Sequence, residues 1–217
     1  MIYCAPRRLA GLQPLQPYGL SVPRLFLIDG SSQMYRAYHA IRGLTGPDGR
    51  STNAVYGFAT MLRKLIADHQ PEYIAASFDL AGPTFRDELA ADYKANRAPM
   101  PSDLAEQVPL VREACEALGV PVLTSERFEA DDVIGTLAMQ AHAAGFELAL
   151  VTGDKDFFQL VGDGIRVYNP RDEGTWYDAD GVVEKFGVRP NQVVDVLALM
   201  GDSIDNIKGV PGIGEKG

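Results

Sequence analysis

Three apolar runs in this chain each end on an aspartate: LFLID at Asp29, YIAASFD at Asp79 and LALVTGD at Asp154. Short runs rich in Val, Ile, Leu and Phe, bounded by glycine or polar residues, read as buried parallel strands. Aspartate is a poor strand residue, so one at the same end of three strands needs a reason. In an open parallel sheet, ligands gather just beyond the carboxyl ends of the strands. Asp156 and two denser clusters, EADD (Glu129, Asp131, Asp132) and GDSID (Asp202, Asp205), complete the set. Carboxylates that converge on one rim repel, and each makes its neighbours harder to ionise. Divalent cations remove that penalty, so the chain is predicted to hold hard metal ions.

From Arg24 onward, strand runs alternate with helical patterns such as SQMYRAYHAI, NAVYGFATMLRKLIADH and ADDVIGTLAMQAHAAG. That alternation predicts an α/β fold with a mostly parallel sheet flanked by helices. Ser102 and Asp103 should open one helix that Gly119 closes, and Gly145 should close the next. IRVYN and GTWYD read as a hairpin or edge strands, followed by helices at ADGVVEKFG and NQVVDVLALMG. Residues 1–23 carry four prolines and no acidic residue, which reads as a disordered tail or a start assigned too far upstream. The division expected is therefore tail 1–23, main body 24–200 and a closing element 201–217.

With 217 residues and 46% apolar side chains, the chain can bury one sizeable core. Two cysteines make no disulfide framework and suit a reducing, cytoplasmic setting. No apolar run is long enough to span a membrane. The formal charge of −9 argues against a polyanionic partner, unless many of the acids are metal ligands.

Residues 81–103 break the alternation. This stretch carries Arg86, Lys94 and Arg97 with Phe85 and Tyr93 interleaved, directly after a strand-end aspartate. A connection this long is usually functional or disordered. A solvated insertion is the bland reading. Basic and aromatic groups beside a metal rim suit phosphate backbone and stacked bases better.

Each acidic cluster alone has an ordinary explanation: first-turn residues for EADD, a turn and N-cap for TGDKD, a turn for GDSID. Number decides against that. Nine carboxylates fall in five clusters, and independent turn chemistry would scatter them. His39, His69 and His142 are isolated, so nothing suits zinc. Magnesium takes a few carboxylates plus water and substrate phosphate, and two ions about 4 Å apart clamp both oxygens of an in-line phosphoryl displacement. Phosphodiester hydrolysis is the natural reaction class. Gly212, Gly214 and Gly217 match G-x-G-x-x-G without the flanking strand and helix, no P-loop is present, and Ser31 and Ser32 lack a His-acid pair. GVPGIGEKG, with Gly209, Gly212, Gly214 and Lys216, reads instead as a glycine hairpin whose backbone N–H groups can hold a phosphate.

LFLIDGSSQMYRAYHA, FRDELAADYKANRAPMP, FEADDVIGTLA, VTGDKDFFQLV and LALMGDSIDNIKGVPGIGEKG, in this order, closely resemble the 5′-nuclease domain of bacterial DNA polymerase I, in the flap endonuclease superfamily with its PIN-like core. The resemblance implies a magnesium-dependent 5′→3′ exonuclease and flap endonuclease acting on DNA with a 5′ flap or 5′ single-stranded end, with manganese as a substitute ion, and a monomer. By motif it makes Asp29, Asp79, Glu129, Asp131, Asp154, Asp156 and Asp205 metal ligands, and Asp132 and Asp202 ligands or groups behind them. It makes residues 81–103 a helical arch, with Arg86, Lys94 and Arg97 on phosphates and Tyr93 a stacking face. GVPGIGEKG resembles the start of a helix–hairpin–helix-like element that grips duplex DNA. The sequence stops at Gly217, just after that hairpin, so retained metal binding with weakened, salt-dependent DNA affinity is expected.

Three rivals carry different tests. A haloacid-dehalogenase-type phosphatase also begins on a strand-end aspartate and has a GDS-x-x-D-like stretch, but Ser31 stands where a second aspartate is needed. A non-catalytic DNA-binding module would bind flaps without magnesium and yield no product. A related PIN-type ribonuclease would cut RNA rather than DNA.

Overall fold

The computed structural model describes residues 22–171 and 174–214. Apart from Val22 and Pro23, the expected tail lies outside the described residues, as does Lys216. The chain runs β1 (Arg24–Asp29), α1 (Gly30–Ala40), α2 (Asn53–His69), β2 (Tyr73–Ser77), α3 (Phe85–Leu89), α4 (Ser102–Ala105), α5 (Val108–Ala117), β3 (Val122–Leu123), α6 (Ala130–Ala143) and β4 (Glu147–Val151). A 3-10 turn (Lys155–Leu160), β5 (Ile165–Asn169), β6 (Thr175–Tyr177), α7 (Ala179–Phe186) and α8 (Val193–Met200) follow, then the short ribbon β7 (Gly201–Asp202) and β8 (Ile207–Lys208). The main sheet has the order β3-β2-β1-β4-β5-β6. Strands β1 to β5 pair in parallel, and β6 returns antiparallel on β5 as the hairpin reading expected.

Period-2 alternation sends β1 side chains to two separate cores. Phe26 and Ile28 pack with Met34 of α1, Phe58, Leu62 and Leu65 of α2, and Val111 and Cys115 of α5. Leu27 faces the other way, onto Ile134 and Ala138 of α6, Leu148 and Leu150 of β4, and Phe157, Phe158 and Val182. The result is a three-layer α/β/α sandwich.

One helix expectation is corrected. The stretch expected to run unbroken from Ser102 is two helices, α4 and α5, separated at Glu106 and Gln107, with proline in the first turn of α5. Gln107 explains the break. Its Oε1 accepts from the N–H groups of Ala54 (2.8 Å) and Val55 (3.3 Å), and its Nε2 donates to Asn53 Oδ1 at 2.9 Å. Thr52 gives α2 no side-chain cap, so this buried glutamine caps α2 from another element. Asp103 likewise accepts from the hydroxyls of Tyr38 and Ser51.

The strand order reverses at β1: the chain places β2 and β3 on one side of it, then β4 and β5 on the other. A crevice outside the carboxyl ends of β1 and β4 follows from that switch. Asp29 ends β1, Asp79 lies just past β2, and Asp154 lies just past β4. All three carboxylates are at the same end of the sheet.

Candidate active site

Asp29 is buried at the start of α1, 7% exposed. One of its oxygens accepts from the Ser32 N–H at 3.0 Å, and the other accepts from the Thr152 hydroxyl at 2.9 Å across the switch point. Burial pushes its carboxyl up to about 7, opposed by those two hydrogen bonds and reinforced by Asp131 and Asp154. Gly30 directly follows because the Phe78 ring lies against its backbone: a Cβ there would meet Phe78 Cζ at 2.5 Å. Thr152 also accepts from the Asp154 N–H at 3.1 Å, tying the ends of β1 and β4 through one hydroxyl.

Asp79 bridges β2 to α6. Its N–H donates to Ser31 Oγ at 2.9 Å, and its Oδ1 accepts from the Ala130 N–H at 2.7 Å. Glu129 is the N-cap of α6, and Asp131 and Asp132 lie in its first turn, where the free N–H groups favour negative charge. Burial raises Asp131 to about 6, with Glu129 and Asp79 adding repulsion. Asp154 Oδ1 accepts from the Asp156 N–H at 2.9 Å. Asp156 is raised to about 6, by burial first and then by Asp154, Asp202 and Asp205. Its Oδ1 is buried with no hydrogen-bond partner.

The 81–103 segment closes over these acids with its cations turned inward. Arg86 makes a bidentate pair with Asp132, at 2.6 and 2.8 Å, and Asp132 is correspondingly held below the usual carboxylate range against its own burial. Asp132 also accepts from the Glu129 N–H at 3.0 Å. Lys94 Nζ reaches Glu129 Oε1 at 2.6 Å, and Arg97 pairs with Asp205. The Tyr93 hydroxyl donates to Glu129 at 3.0 Å, with Asp205 at 3.2 Å; burial and these two acids push the phenol up. Lys94 takes a left-handed backbone, φ 53°, and its N–H donates to the Asp205 carbonyl at 2.9 Å. Such a conformation is costly away from glycine; here contacts at both ends of the residue hold it.

Asp202 accepts from the Ile204 and Asp205 N–H groups and stands 3.6 Å from Lys155 Nζ. All nine predicted carboxylates and the four predicted groups of the 81–103 segment thus lie around one region. Gly209, Gly212 and Gly214 lie apart, on the loop after β8. An open cleft of about 870 Å³ is lined by Asp131, Asp154, Asp156, Asp202 and Asp205, with Ser32, Arg36, Lys94, Arg97 and Asn169. Thr152, Arg36, Lys155 and Asn169 were not read from the sequence as site residues. Arg36 Nη1 donates to Gln33 and Asn169, both at 3.2 Å; only its position two helical turns past Asp29 could have signalled it.

Among the described residues, no three of these carboxylates converge tightly enough to form a ready-made metal cage. The arch-side cations occupy Glu129, Asp132 and Asp205 instead. The donor set still fits a hard divalent ion. Asp29 is a buried acid and Asp131 and Asp156 are half-buried ones, all three with suppressed ionisation, and the unpartnered Asp156 oxygen is turned toward no protein donor. A cation satisfies both conditions.

DNA polymerase I of Pseudomonas aeruginosa is 51% identical over 197 residues, 91% of this chain and 22% of that one. DNA polymerase I of Bacillus subtilis is 44% identical over 196 residues, 89% of this chain and 22% of that one. The chain therefore spans about a fifth of the length of these relatives. Among solved structures, T5 5′-exonuclease with bound zinc ions superposes with a TM-score of 0.74 at 22% identity, covering 88% of this chain and 71% of that one. The catalytic core of Rad2 in complex with a DNA substrate gives 0.56 at 20% identity, over 90% and 59%. These two establish the same PIN-like fold. The model of the 5′-3′ exonuclease N-terminal resolvase-like domain matches residues 24–187, and that of the 5′-3′ exonuclease C-terminal SAM fold matches residues 188–217. With the carboxylate rim, the inward-facing cations and both family models in register along one chain, this protein belongs to the 5′-3′ exonuclease family.

Proposed function

We propose that this chain is a magnesium-dependent 5′→3′ exonuclease and structure-specific flap endonuclease, hydrolysing DNA phosphodiester bonds in primer removal and repair. The observation that carries the reading is one juxtaposition. Three acids with suppressed ionisation, Asp29 buried and Asp131 and Asp156 half-buried, lie beneath Arg86, Lys94 and Arg97, which the 81–103 arch supplies. Magnesium held by Asp29, Asp79, Glu129, Asp131, Asp154, Asp156 and Asp205, with manganese as a substitute, would supply charge neutralisation at the attacking and leaving oxygens, in the manner of two-metal hydrolysis. Asp132 and Asp202 orient the neighbouring groups. Lys94 and Arg97 can exchange their carboxylate partners for phosphate oxygens, since both ligand types suit a cationic donor. Tyr93 offers its ring to a base. Thr152 fixes Asp29 and Asp154 relative to one another.

Residues 24–200 carry this chemistry together with Asp202 and Asp205, and residues 201–217 otherwise begin the duplex-gripping element, with Gly209, Gly212, Gly214 and Lys216 presenting backbone and charge to phosphate. The protein acts as a monomer in a reducing cytoplasm, in keeping with a free, buried Cys115. The T5 exonuclease with its metal ions and the DNA-bound Rad2 core support a divalent cation and a DNA substrate. The phosphatase alternative loses its basis at Ser31, whose hydroxyl oxygen is engaged by the Asp79 N–H rather than standing where an acid acts.

The test is cleavage of end-labelled 5′-flap DNA at two salt concentrations, with and without magnesium, beside an RNA flap and a small phosphomonoester. Magnesium-dependent release of flap-length DNA products, weakening steeply with salt, is expected. Binding without product would favour the non-catalytic module, and phosphate release from the monoester would favour the phosphatase.

A further inference from the structure

Phe128 immediately precedes Glu129, yet 47% of it is exposed. A residue ahead of a helix N-cap can pack on the fourth helical residue, here Val133, and a smaller aliphatic side chain serves that purpose. What distinguishes Phe128 is its partner. The Phe85 ring lies with its centroid 5.5 Å away, tilted by 47°, and the Arg86 guanidinium covers Phe85 at 4.6 Å. Three ties fix this notch. The Phe85 N–H donates to the Arg127 carbonyl at 3.0 Å. Arg127, held left-handed at φ 66°, pairs with Glu88 at 2.5 Å. Arg86 is locked to Asp132 of α6.

Arg86 joins the notch to the active site, covering Phe85 while it pairs with Asp132. Arg86 and Asp132 line a groove of about 300 Å³ together with Asp131 and Asp156, and those last two acids also line the main cleft. A strand crossing the carboxylates therefore has the fixed aromatic pair beside its path.

We propose that Phe85 and Phe128 form a base-stacking subsite for the single-stranded 5′ segment, close to the scissile phosphate; this rests on the nuclease reading of the adjoining site. An exposed Phe128 ring backed by the half-buried Phe85 binds an unstacked base with little ordering of the protein, and every base offers a π-face, so the subsite favours a single strand over a duplex without reading its sequence. Continuity with the carboxylate rim and the flanking Arg86 and Arg127 select a nucleic-acid strand over an apolar peptide.

The experiment is fluorescence-anisotropy binding of 5′-flap DNA in calcium, a hard cation with the same oxygen preference. Wild-type protein, Phe128→Ala and Phe128→Trp are compared on intact flaps, on flaps carrying one abasic nucleotide at successive positions, and on blunt duplex. Phe128→Ala should weaken intact-flap binding roughly tenfold. Wild type should lose the same factor at one abasic position, where the variant loses nothing further, and Phe128→Trp should bind as wild type. Wild-type affinity in Phe128→Ala, or equal losses on intact and abasic flaps at every position, overturns the subsite while leaving the nuclease reading standing. No preference of wild type for flap over blunt duplex overturns both.

Discussion

Lys94 Nζ stands 2.6 Å from Glu129 Oε1, so an arch cation occupies a carboxylate that the nuclease reading assigns to metal. On that reading, metal binding and docking of the 81–103 segment compete for the same oxygen. Adding magnesium to the DNA-free protein should increase amide exchange across residues 90–97, and Lys94→Met should raise magnesium affinity while weakening flap binding. Exchange that does not respond to magnesium would show that the arch and the metals do not share Glu129.

The acids with raised pKa make a pH prediction for metal-free protein. Folding raises Asp29 from an ordinary 3.8 to about 7, and Asp131 and Asp156 to about 6. Between those limits the folded state binds more protons than the unfolded one, so stability is full at low pH and falls as pH rises through the window. From Asp29 alone the loss is on the order of 4 kcal/mol. Thermal melts from about pH 4 to about pH 8 should show the decline, flattened by Asp29→Asn and by magnesium. Stability rising with pH over that range would contradict the burial argument.

Thr152→Val removes the hydroxyl that serves Asp29 and Asp154 together. Loss of a group that orients metal ligands commonly lowers affinity or activity by about 10–100-fold. Magnesium titration calorimetry should show a weakened affinity of that order, with the melting temperature of the variant little changed.

Gly30→Ala places a methyl group against the Phe78 ring, where Cζ is 2.5 Å from the ideal Cβ position. Overpacking of this kind costs typically about 1–3 kcal/mol. Denaturant unfolding measures it, and an unchanged midpoint would mean that Phe78 moves freely.

The parallel sheet and its acidic rim were legible because β1, β2 and β4 are buried on both faces and so read as unbroken apolar runs. The interruption between α4 and α5 was not, because it depends on Gln107 capping a helix more than fifty residues away in the chain. Arg86, Lys94, Arg97 and Tyr93 were identifiable as one basic-aromatic group; that they turn onto Asp132, Glu129 and Asp205 follows from tertiary closure, which spacing cannot reveal. Thr152 escaped notice because a threonine before a glycine turn carries no signal until β1 and β4 are seen as neighbours.

Asp154→Asn tests the central claim most directly. Asn keeps the oxygen that accepts the Asp156 N–H but removes the negative charge offered to a metal. The variant should melt like wild type yet show no magnesium-dependent cleavage of end-labelled 5′-flap DNA. Full cleavage by a folded Asp154→Asn variant would contradict the assignment of this carboxylate rim as the nuclease centre.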